Sequence, residues 1–76
     1  MSFLYTSHYI KNKKYRPEIS EDLIEFTISN SPPQLDKKWG DALNAITKIP
    51  WNGRTLKVVY RWHQRKILII TAYWLD

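Results

Sequence analysis

The chain contains no cysteine, which removes disulfides, thiolate metal ligands and thiol nucleophiles together. It has only two glycines, too few for the glycine-rich loop that cradles a phosphate. There are two histidines, with no spacing that gathers acids around either, so neither a metal site nor a cofactor is expected. A Ser-His-acid triad can be assembled on paper from Ser7 and His8, but no Gly-x-Ser-x-Gly turn supports it. No apolar run approaches the roughly 18 residues a membrane span needs. No basic–apolar–small export signal heads the chain. Repeats and low-complexity segments are lacking as well. These absences leave a small, reduced, cytoplasmic domain with no membrane partner as the expectation.

What is present is aromatic and basic. Residues 1–76 make a single domain, and a chain of this length buries only about 60% of its unfolded surface. Four tryptophans and five tyrosines help, because each aromatic can bury roughly 150–250 Å². Twelve Lys and Arg stand against seven acids, a formal charge of +5. Such an excess favours a polyanion or an acidic protein as partner. A basic surface that merely meets solvent has the same composition, so charge alone does not choose.

Along the chain, Met1–Thr6 is a short apolar lead-in. Ser7 reads as a helix cap ahead of His8–Tyr15, a run compatible with one or two helical turns. In the first turn His8 would sit near the positive helix end, which disfavours an imidazolium and suits a neutral base. Pro17 pushes Arg16 toward an extended conformation. Ser20 with Glu21 and Asp22 marks a second helix start, and the apolar residues that follow predict a helix from about Glu21 to Asn30. Pro32-Pro33 forbids its continuation. Gln34–Asp41 reads as loop. Ala42–Ile49 could be helix or strand by period. Strand is preferred, because a bare hairpin is marginal and a third strand makes it viable. Asn52-Gly53 then signals a turn.

The most structured stretch is Arg54–Asp76. Two runs rich in β-branched and aromatic residues, Leu56–Trp62 and Ile67–Trp74, flank a polar break and predict an antiparallel hairpin. By alternation Leu56, Val58, Tyr60 and Trp62 face the helices, and Thr55, Lys57, Val59 and Arg61 face away. A two-residue loop at Gln64-Arg65 would set Thr71 and Tyr73 beside Val58 and Leu56. A loop one residue longer would set them beside Lys57 and Arg61. The longer loop is expected, since it groups the polar side chains on one face. The fold expected is α+β: two N-terminal helices packed on a three-stranded or slightly larger antiparallel sheet.

Two cations, a hydroxyl and a phenol on one face suit RNA backbone cleavage by general acid–base catalysis. His8 is the natural base. Arg54, Lys57 and Arg61 are natural phosphate ligands, and Thr71 or Tyr73 can hold phosphate or relay a proton. The same inventory also fits a sheet face that only binds RNA or protein.

These residues resemble a known family. Ser7-His8-Tyr9, the helix start Ile19-Ser20-Glu21-Asp22, the strand Gly53–Tyr60 and the strand Ile70–Tyr73 are similar to the small family called domain of unknown function 4258. That family is grouped with the barnase, EndoU, colicin and RelE-type ribonucleases. The resemblance implies a single RelE-like toxin domain over 1–76, a metal-independent endoribonuclease of a toxin–antitoxin module. It implies His8, Arg61, Thr71 and Tyr73 as catalytic residues, with Arg16, Arg54 and Lys57 on RNA phosphates. It implies RNA, including ribosome-bound mRNA, and a cognate antitoxin as partners. A monomer, or a dimer through the free strand edge, fits equally.

Overall fold

The computed structural model describes residues 3–5, 19–36 and 40–75. Their elements run β1 (Phe3–Tyr5), α1 (Glu21–Ser29), β2 (Gln34–Leu35), β3 (Leu43–Lys48), β4 (Thr55–His63) and β5 (Lys66–Trp74). The strands form one sheet in the order β1-β5-β4-β3-β2. β1 runs parallel to β5, and every other neighbouring pair is antiparallel.

This corrects the expected architecture. The sheet has five strands rather than three and is mixed rather than antiparallel, and one helix is present among the described residues. The stretch Ser7–Tyr15, expected as the first helix, lies outside the described residues. The two additional strands are the edges. Phe3–Tyr5 is too short to show a period, yet Phe3 and Tyr5 pack on the core while the half-exposed Leu4 between them faces the other way. Gln34-Leu35, expected as loop, pairs with Asn44 and Leu43.

The helix forms where its signals lie. Ser20 is extended (φ −86°, ψ 164°), and its hydroxyl accepts from the Leu23 N–H at 3.3 Å. Glu21 and Asp22 place negative charge at the positive end of the helix. At the other end the Asn30 N–H donates to the carbonyls of Phe26 and Thr27, at 3.1 and 3.3 Å. Its side-chain amide donates to Phe26 at 2.8 Å. Leu23, Ile24 and Thr27 form the buried stripe. Thr27 satisfies its own hydroxyl by donating to the Leu23 carbonyl at 2.8 Å, so a polar group is carried into the core without an orphan.

Helix α1 lies over β3 and β4. The core beneath it joins Ile19, Leu23 and Ile24 to Ala45, Ile49, Leu56, Val58, Tyr60, Ile67, Ile69 and Ala72. Each fully buried Ile, Leu or Val contributes roughly 1.5–3 kcal/mol relative to exposure, which is how so short a chain offsets its ordering entropy. The ambiguous segment 42–49 is strand from Leu43 to Lys48. Asn52-Gly53 makes the turn into β4, with Gly53 at φ 72° where a side chain would be strained.

Both sheet edges are short. Beyond β2 the outer edge of β3 is partly closed by Ser31, whose hydroxyl accepts from the Ile46 N–H at 2.9 Å. That blunts the edge as a template for another strand. No helix among the described residues is long and apolar enough to cross a membrane.

Candidate nucleic-acid interface

Alternation along β4 assigns the faces. Leu56, Val58 and Tyr60 point to the helix-covered core, and Lys57, Val59 and Arg61 point to the opposite face. Trp62 continues the helix-side series but lies past the end of the core and is 56% exposed.

The register of β5 departs from both simple alternatives. The loop is the two-residue one: His63 pairs with Lys66, and Gln64 and Arg65 make the turn with φ of 50° and 67°. Pairing continues regularly to Tyr60↔Ile69 and then shifts, so that Val59 faces Thr71 and Lys57 faces Tyr73. Ile70 is the additional residue, a β-bulge that moves everything after it by one position. The expected longer loop is therefore not used. A bulge brings Tyr73 beside Lys57 instead, and Ile67, Ile69, Ala72 and Trp74 share the helix face. Arg61 faces Leu68, not Tyr73 or Thr71.

The far face thus has three ranks. Ile46, Lys57 and Tyr73 lie side by side; next come Asn44, Val59 and Thr71; then Arg61 with Leu68. In the first, the Lys57 ammonium sits 5.6 Å from the Tyr73 ring centroid, a cation–π distance. The second rank is closed, with Val59 at 2% and Thr71 at 9% exposure. Val59 packs there with Ala42, Ile70 and Tyr73. In the third, Arg61 Nη1 donates to Asp41 Oδ2 at 3.2 Å, in a pair that solvent reaches from both sides. Lys57 and Arg61, four residues apart, are separated by about 13 Å along the strand.

The sequence-derived site residues are only partly gathered. Lys57 and Tyr73 are neighbours, Thr71 lies one rank away and nearly buried, and Arg61 lies a further rank away and is held by Asp41. Arg54 is on the other side of the sheet. Its guanidinium lies 4.3 Å from the centroid of Trp74, which packs on the helix-side core. It is consequently not part of the Lys57–Tyr73 cluster. His8 and Arg16 lie outside the described residues.

Two features of this region escape sequence reading. Asn44, in the rank of Val59 and Thr71, is buried, and its Oδ1 has no hydrogen-bond partner. The exposed hairpin end Trp62–Lys66 concentrates one aromatic ring and three basic side chains. Its signal, the run Arg61-Trp62-His63-Gln64-Arg65-Lys66, is plain in the sequence but reads as a turn. Among the described residues no three His, Cys, Asp or Glu side chains come together as metal ligands. Comparison of the chain with protein-family models, with curated proteins and with solved structures gives no match.

Proposed function

We propose that this domain is a small endoribonuclease of the toxin type, held in check by a cognate antitoxin that covers the far face of the sheet. The observation that carries the reading is the cross-strand pair of Lys57 and Tyr73, a cation over the ring of a phenol on that face. The basic charge of the chain and the family resemblance of Gly53–Tyr60 and Ile70–Tyr73 support it.

In the proposed reaction a base, for which His8 is the candidate, takes the proton of a ribose 2′-OH. The 2′-oxygen attacks the adjacent phosphorus as the P–O5′ bond breaks. The phenol of Tyr73 delivers a proton to the leaving 5′-oxygen, giving a 2′,3′-cyclic phosphate and a 5′-hydroxyl. Lys57 stabilises the charge that builds on the non-bridging oxygens. Arg61 contributes at the edge of this site once RNA draws it from Asp41. Thr71, almost closed from solvent, supports the neighbouring rank of side chains.

A second reading has its own observation. Val59 and Thr71, buried in the rank between Lys57 and Arg61, keep the two cations apart, which favours a surface that binds RNA or protein without cutting. Incubation with end-labelled single-stranded RNA in excess EDTA separates the two. Under the first reading the wild type yields cyclic-phosphate ends, and His8→Ala, Lys57→Ala and Tyr73→Phe reduce the yield while remaining folded. Intact RNA, on free transcripts and on translating ribosomes alike, would leave only the binding role.

A further inference from the structure

The end of the β4–β5 hairpin has a construction that packing does not require. β3 accompanies β4 only as far as Leu43↔Tyr60, so the ribbon from Trp62 to Lys66 extends past it. Both turn residues adopt positive φ, 50° at Gln64 and 67° at Arg65. Such a two-residue turn is built most cheaply from Asn-Gly. The chain uses that dipeptide at Asn52-Gly53, yet here it holds Gln and Arg in a conformation unfavourable for residues bearing a Cβ. Strain kept at a solvent-exposed tip has no benefit for the core, and residues of this kind cluster where ligands are held.

The side chains at the tip have a common chemistry. Trp62 is 56% exposed although it continues the apolar series of β4. His63, Gln64, Arg65 and Lys66 are all exposed. The side chains of Arg61, His63 and Lys66 lie on the far face, because His63 pairs with Lys66 and is two residues from Arg61. Among the described residues, Asp41 is engaged by Arg61. The Trp62 ring is on the helix-side face of this narrow ribbon, the cations of Arg61, His63 and Lys66 are on the other, and Arg65 is at the turn. A single nucleic-acid strand crossing the tip would meet both, a base stacking on the ring and phosphates following the charges.

We propose that the hairpin tip Trp62–Lys66 is an anchoring site for single-stranded RNA, with Trp62 stacking on a base and Arg65, Lys66 and His63 meeting phosphates on either side. It rests on the reading of the chain as an RNA-directed domain. It adds a contact some distance from the Lys57–Tyr73 pair and defines the substrate as unpaired RNA long enough to reach both. The turn presents the Gln64 and Arg65 side chains to solvent.

Fluorescence anisotropy with a labelled 2′-O-methyl oligoribonucleotide, which binds but cannot be cleaved, tests this in the whole chain. Trp62→Ala is expected to weaken binding by roughly five- to a hundredfold, the effect of losing one stacked base. Arg65→Gly combined with Lys66→Ala is expected to lower the magnitude of the slope of log K against log salt by about 1.4. Arg65→Gly alone should raise the unfolding midpoint while weakening binding, which separates lost contact from lost structure. If the wild type binds and Lys57→Ala weakens binding, but the tip variants match the wild type, the tip proposal is wrong and the proposed function stands. If a duplex of the same length binds as tightly and Trp62→Ala changes neither affinity, the tip is a plain polyanion surface and the stacking role is overturned. No binding by the wild type at low salt overturns both.

Discussion

Lys57 and Tyr73 face each other across β4 and β5 because Ile70 is an extra residue in β5. The Gln64-Arg65 turn alone would set Tyr73 opposite Leu56. The bulge converts that register into one that places a phenol beside an ammonium and returns Ala72 and Trp74 to the helix-side core. One inserted residue therefore composes the candidate site and completes the core together.

The Lys57–Tyr73 contact should be measurable as a coupling. In a double-mutant cycle of Lys57→Met and Tyr73→Leu, read by urea unfolding, we expect about 0.5–1 kcal/mol of interaction. A coupling indistinguishable from zero would mean that the two side chains merely lie near each other.

The hairpin turn should be improvable. Replacing Gln64-Arg65 by Asn-Gly relieves two positive-φ residues, and a gain of about 1–2 kcal/mol in unfolding free energy is expected. The urea midpoint reports it directly. No gain would show that the present turn carries little strain.

Asn44 offers a second stabilising change. Its Oδ1 is buried without a partner, and an unsatisfied buried acceptor costs about 1–3 kcal/mol. Asn44→Val puts a β-former beside Val59 and removes the orphan, so stability should rise by about 1 kcal/mol in the same assay. A loss would indicate that the amide is satisfied in solution.

Tyr60 makes the domain sensitive to alkali. Burial raises its phenol above the ordinary value of 10.0, so the folded state holds the proton more tightly than the unfolded state does. The stabilisation from this group is complete below about pH 10 and declines as pH rises through the folded-state value. Tyr60→Phe should flatten the fall in thermal midpoint above pH 10 and change little at pH 7. An identical alkaline profile for the variant would refute the assignment.

Much of this could be read from residue patterns, and what could not has definite causes. Ser20, Glu21, Asp22 and the proline pair mark the helix, since caps and breakers act within a few residues of themselves. Asn52-Gly53 marks its turn for the same reason. The strand character of Leu43–Lys48 follows from the need of the hairpin for a partner. The edges are another matter. Phe3–Tyr5 finds its partner at Ile67–Ile69, and nothing local in three residues announces a parallel pairing so distant in sequence. A bulge is equally silent, because Ile70 is as apolar as its neighbours and only the packing of Ala72 and Trp74 shows that the alternation has slipped. Thr71 and Tyr73 are expected beside Lys57 and Arg61 through a longer loop, whereas the pairing of Lys57 with Tyr73 comes from the bulge. The separation of Arg54 is not legible either, because it depends on Trp74 lying on the helix side.

The pairing of β1 with β5 also orders events in time. Phe3 is synthesised well before Ile67, the residue it pairs with, and nearly the whole described chain lies between them. Closing so distant a contact is entropically late, whereas β3, β4 and β5 can zip from their short turns. The sheet is accordingly finished at its N-terminal edge last. A nascent chain cannot complete this sheet before β5 has been made, and a force that pulls on the segment preceding β3 would act first on the docking of β1.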